Sequence, residues 1–82
     1  MKDIAWTEAA IQDMSALDKG TPRRIKQAIE RFAQSGTGNI KQLQGINPPE
    51  FRLRAGDYRV RFHSGGASIT ILRVRNRREG YR

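Results

Sequence analysis

At 82 residues the chain is long enough for one small domain, 1–82, and 37% apolar with 29% charged residues is a globular composition. It has no cysteine and one histidine, which rules out disulfides and thiolate metal sites and leaves zinc or a histidine-based triad short of ligands; no cofactor is expected. The formal charge of +8 points to a polyanionic partner, and no apolar run nears the roughly 18 residues of a membrane span, so a cytoplasmic protein is expected.

Residues 2–6, KDIAW, read as a first strand with Ile4 and Trp6 on one side and Asp3 and Ala5 on the other. Thr7 is placed as a helix N-cap with Glu8 in the first turn. Ala10, Ile11, Met14 and Leu17 recur at helical spacing, and Gly20 is positioned to end a helix of about three turns. Thr21-Pro22 supplies a cap hydroxyl and an opening proline for a second helix, whose apolar stripe is Ile25, Ala28, Ile29, Phe32 and Ala33. The run 35–39, SGTGN, stops it. Residues 40–49, IKQLQGINPP, read as a connector anchored by Leu43 and Ile46 and kept extended by its two prolines.

The most informative stretch is 50–63, EFRLRAGDYRVRFH. A period of two puts Phe51, Leu53, Tyr58, Val60 and Phe62 on one side of a hairpin and Arg52, Arg54, Arg59, Arg61 and His63 on the other, with the turn at Ala55-Gly56-Asp57. One face is core and the other cationic. After a turn at 64–67, the β-branched run SITILRV, 68–74, reads as a buried strand. Residues 1–49 carry seven Lys/Arg against five acids, whereas residues 50–82 carry nine Arg and no Lys against three acids. Arginine suits forked recognition of phosphate better than diffuse solubilisation, although a basic surface retained for solubility is the alternative. Strand, two-helix hairpin and C-terminal three-strand meander imply an α+β fold with a mostly antiparallel sheet.

Several runs, taken in order, resemble the RelE/ParE toxin superfamily of bacterial toxin–antitoxin systems: Leu43-Gln-Gly45, Phe51-Arg-Leu-Arg54, Gly56-Asp-Tyr-Arg-Val60, the strand to Val74, and Arg77-Arg-Glu-Gly-Tyr81. The resemblance covers nearly the whole chain. It implies a fold like that of the microbial ribonucleases, a cognate antitoxin with an acidic segment that forms a hetero-oligomer with the toxin, and cleavage of mRNA in the ribosomal A site. In that metal-independent reaction the ribose 2′-OH attacks its own 3′ phosphate, leaving a 2′,3′-cyclic phosphate and a 5′-OH.

Carried onto this sequence, the resemblance makes Arg59 the phosphate-stabilising arginine. Arg52 falls where relatives carry a basic residue near the 2′-OH; an arginine there can hold phosphate but stays protonated and is a poor base. Arg75 matches the arginine at the leaving 5′ oxygen, and Tyr81 the tyrosine that stacks the base or assists proton transfer. Glu50 is the candidate general base. Arg54, Arg61, Arg77 and Arg78 are the expected RNA contacts. Gly80 and Asn76 depart from the family pattern, since relatives carry an apolar residue at the first and several a histidine at the second. Two other functions stay open: a ParE-like inhibitor of DNA gyrase without nuclease chemistry, and a basic nucleic-acid-binding module with no enzymatic activity.

Overall fold

The computed structural model describes residues 2–76. Seven elements follow in chain order: β1 (Asp3–Trp6), α1 (Glu8–Ser15), α2 (Thr21–Ser35), β2 (Asn39–Gln42), β3 (Phe51–Ala55), β4 (Tyr58–Ser64) and β5 (Ser68–Asn76). The strands form one sheet in the order β1-β5-β4-β3-β2. Only the β1–β5 pair is parallel, so the fold is the α+β arrangement expected, with a mostly antiparallel sheet.

The helical layer covers one face of that sheet. Ile25, Ile29 and Ala33 of α2, at helical spacing, pack with Ala10 of α1 onto Leu53, Val60, Phe62, Ile69, Ile71 and Val74. Phe62 is 1% exposed and lies between two other rings, 5.2 Å from Phe32 of α2 and 5.6 Å from Phe51 of β3. Burying such a side chain contributes about 1.5–3 kcal/mol, so this cluster dominates the stability of a small domain. Trp6 and Tyr58 are half-buried at its rim.

Four local features differ from expectation. Residues 39–42, read as linker, form β2, a fifth strand that pairs with β3 from Asn39↔Arg54 to Gln42↔Phe51. Ile40 is its sole inward apolar residue, too little for a period-two signal. The loop beyond β2 is not anchored by Ile46, which is exposed, and the Asn47–Pro48 peptide is cis. Helix α1 stops at Ser15 rather than near Gly20, because Ala16 N–H and Leu17 N–H reach back only three residues, to Asp13 O and Met14 O. Leu17 still packs on the core, from a turn. Finally, Thr21 is the first residue of α2 and not its cap. Gly20 holds the cap position at φ +94°, which a residue with a Cβ rarely adopts, and Thr21 N–H is satisfied by Asp18 O at 3.0 Å.

Strands β3 and β4 meet at a two-residue turn, Gly56-Asp57, with Gly56 at φ +60° as the first central residue of a hairpin turn requires. Between β4 and β5 the register slips. Arg61 pairs with Arg73, yet Phe62 pairs with Ile71, leaving Leu72 as an extra residue. Without that bulge, strict alternation from Ile69 and Ile71 would carry Arg73 and Arg75 into the core and Val74 out of it. With it, Val74 is buried and both arginines turn to the opposite face.

Helix α1 occupies the edge of β5 beyond the end of β1. Thr7 N–H donates to Ile71 O at 3.0 Å, and the Thr7 hydroxyl donates to Leu72 O at 2.9 Å while accepting from Ala10 N–H at 3.1 Å. The Asp13 carboxylate then accepts from Val74 N–H at 2.9 Å. The cap and body of α1 thus satisfy backbone groups that a further stretch of strand would otherwise pair.

Candidate functional site

The face away from the helices is built from cross-strand rows, because residues directly opposite in an antiparallel pair point the same way. One row runs Lys41, Arg52, Arg61, Arg73 across β2, β3, β4 and β5. The next, two residues along each strand, runs Asn39, Arg54, Arg59, Arg75. Glu50 and His63 stand beyond the first row. These rows contain four arginine pairs set directly opposite one another: Arg52 with Arg61, Arg61 with Arg73, Arg54 with Arg59, and Arg59 with Arg75. Like charges so placed destabilise a sheet by about 0.2–1 kcal/mol a pair, so the fold carries this face at a cost.

Two carboxylates offset part of the charge in the first row. Glu50 accepts from Arg61 Nε at 2.9 Å and from Nη2 of the same guanidinium, and its other oxygen lies 3.7 Å from His63 Nε2. Asp13, brought from α1, takes a forked pair of bonds from Arg73 at 2.8 and 3.1 Å. Partial burial pushes the Asp13 carboxyl up, but the bonds from Arg73 and Val74 and the charges of Arg73 and Arg75 outweigh it and hold the group below the ordinary carboxylate value. Among the described residues, Arg52 and Arg54 make no ion pair, and the Nε atom of each is buried with no hydrogen-bond partner. A buried donor of that kind is costly to leave unmade and is satisfied when an acceptor such as a phosphate oxygen arrives.

The structure therefore brings Arg52, Arg54, Arg59, Arg61 and Arg75 onto one face, with Arg59 and Arg75 as direct neighbours. It sets Glu50 beside Arg61 and His63, at the far side of the first row from Arg59. Arg77, Arg78 and Tyr81 lie outside the described residues. Sequence reasoning missed Lys41 and Arg73 as members of the rows and Asp13 as their counter-ion. Arg-x-Arg at 73–75, after a strand of β-branched residues, was a usable signal for a phase change; nothing in the spacing of α1 marked Asp13. No group of three or more His, Asp or Glu that could hold a metal occurs among the described residues, nor is any helix there long and apolar enough to cross a membrane.

The fold has parallels among solved structures. A chain of the RelB–RelE antitoxin–toxin complex from Methanococcus jannaschii superimposes with a TM-score of 0.75 at 25% identity, over 94% of each chain. A chain of the archaeal RelE–RelB complex from Pyrococcus horikoshii OT3 gives 0.76 at 20% identity over 93% of this chain and 94% of its own. The YoeB dimer from Staphylococcus aureus gives 0.71 at 14% over 88% and 92%. No curated protein sequence matches. The family described as the ParE toxin of the type II toxin–antitoxin system parDE matches residues 4–81, nearly the whole chain, and the chain belongs to that family within the RelE/ParE superfamily.

Proposed function

We propose that this toxin is a ribosome-dependent endoribonuclease that cuts mRNA in the A site by attack of the ribose 2′-OH on the adjacent phosphate. The observation that carries the reading is the pair of arginine rows, above all Arg59 flanked by Arg54 and Arg75 on rigid, paired strands. Donors fixed in advance around a phosphate stabilise the charge that grows on its oxygens during attack, an effect of about 3–4 kcal/mol for a single preorganised donor. Arg59 faces the phosphate oxygens and Arg75 the leaving 5′ oxygen. Arg52, with an unmatched Nε, holds the neighbouring phosphate together with Arg54 and Arg61.

Glu50 takes the proton from the 2′-OH as its oxygen bonds to phosphorus and the bond to the 5′ oxygen breaks; the 5′ oxygen leaves beside Arg75 and takes a proton from water, so the products are a 2′,3′-cyclic phosphate and a 5′-OH. Its bond to Arg61 orients the carboxylate toward the rows while competing for its lone pairs. Tyr81, Arg77 and Arg78 are assigned by resemblance alone: base stacking for the first, worth about 1–3 kcal/mol, and RNA contacts for the others. The proposed location is the cytoplasm, where ribosomes are.

An antitoxin partner is part of the same proposal. The M. jannaschii neighbour, at 25% identity, comes from an antitoxin–toxin complex. An acidic segment folding across the arginine rows would supply counter-charge to Arg52 and Arg54 and block RNA.

A second reading, inhibition of DNA gyrase, draws its support from the family description, which is that of ParE. The deciding experiment is cell-free translation of a defined mRNA with purified toxin, followed by primer extension. Breaks inside the reading frame that need ribosomes and vanish in Arg59→Ala support the nuclease. Intact mRNA together with lost supercoiling in a gyrase assay supports the inhibitor.

A further inference from the structure

A second cluster of arginines lies off the sheet face, in a cleft of about 580 Å³ between α2 and the β3–β4 turn. Arg24 and Arg31, seven residues apart on α2, stand on one wall, since two helical turns bring i and i+7 to the same side. Arg54 forms part of the opposite wall, with Tyr58 and Asn76. None of the three arginines makes an ion pair among the described residues. Asp57, at the tip of the turn, is the lone carboxylate of the lining. Arg54 belongs to both places. On β3 it is the direct cross-strand neighbour of Arg59, and it also borders the cleft. The cationic surface therefore continues from the sheet around the hairpin end onto α2.

We propose that this cleft binds the phosphodiester backbone of the RNA beyond the reacting phosphate, so that the bound strand runs from the Arg59 row past Arg54 to Arg24 and Arg31. The inference rests on the RNA-directed reading above. The chemistry of the walls favours phosphate: the guanidinium forks of Arg24 and Arg31, without ion pairs among the described residues, stand over a lining with one carboxylate. The contact is with backbone, not base edges, so it adds affinity and register without sequence preference.

The test is fluorescence anisotropy with a labelled 2′-O-methyl oligoribonucleotide of twelve units, which lacks the attacking hydroxyl and stays intact, titrated across a salt series. Wild type is compared with Arg24→Gln/Arg31→Gln and with Arg59→Gln; a labelled oligoglutamate peptide is the second probe, and circular dichroism checks folding. The expected result is a Kd about tenfold higher for the α2 double variant, with the slope of log affinity against log salt smaller by about 1.4, the value for two lost contacts to a single strand. Arg59→Gln also weakens binding. Unchanged oligonucleotide binding by the double variant, with weaker binding by Arg59→Gln, overturns the cleft and leaves the RNA-directed reading intact. No binding by wild type, or no effect of either change, overturns the cleft, while the ribosome-dependent reading stands or falls by the translation assay. Loss of peptide binding alone in the double variant overturns the proposal in favour of an acidic protein.

Discussion

Arg59 on β4 and Arg75 on β5 stand directly opposite each other, two like charges held side by side by the backbone ladder. Replacing Arg59 by Ala is expected to lower the ribosome-dependent cleavage rate by about 10²–10³, the usual consequence of deleting one preorganised donor. Its effect on folding is read apart from this, as a change in melting temperature. Primer extension and calorimetry on the same preparation separate the two effects; a variant that melts lower and cuts normally would assign Arg59 to structure.

Glu50→Gln tests the base. The amide cannot accept the 2′-OH proton, so cleavage should fall by about 10²–10⁴ while ribosome binding persists. Folding should change by no more than about 1 kcal/mol, because Arg61 is well exposed and its ion pair correspondingly weak. Cutting at the wild-type rate would remove Glu50 from the chemistry.

Asp13→Ala removes three hydrogen bonds at once, two from Arg73 and one from Val74 N–H. A loss of about 2 kcal/mol is expected, near 10 °C in melting temperature for a domain of this size. The pH dependence follows from the lowered carboxyl. The folded group titrates below its unfolded value of 3.8, so its contribution is complete above that value and drains away as pH falls through the folded one. Wild type should lose stability on acidification below about pH 4, and the variant should lose less over the same range. Equal acid slopes in urea titrations would contradict this.

Phe62→Ala opens a cavity among Phe32, Phe51 and the sheet residues of the core. The expected cost of about 3–5 kcal/mol is a large share of what a small domain possesses. Denaturant melts should therefore show a much lower midpoint, or no cooperative transition at all.

How far the sequence exposed this molecule depended on whether a feature was local. The hairpin 50–63 was readable because ten alternating residues separate core from arginine and a glycine turn joins the halves. Strand β2 was not, since four residues with one inward isoleucine carry no period, and it exists by pairing with β3. The end of α1 depended on three-residue hydrogen bonds that composition does not announce. Asp13 and Arg73 meet across a sequence separation of 60, and only the packing of α1 along β5 brings them together. The arginine rows, likewise, needed the register of four strands to become rows.

The extra residue at Leu72 also means that side assignment in β5 is a matter of counting, odd or even, and not of residue type. Removing that one position would let Arg73 follow Ile71 in plain alternation, so Arg73 and Arg75 would keep their face and Val74 its place in the core, at the loss of the carbonyl that accepts from the Thr7 hydroxyl. Conservative changes at Leu72, and even its deletion, should thus leave the two faces in place, whereas one residue inserted between Arg73 and Val74 would turn Val74 outward and Arg75 inward and cost the protein its core and its chemistry together.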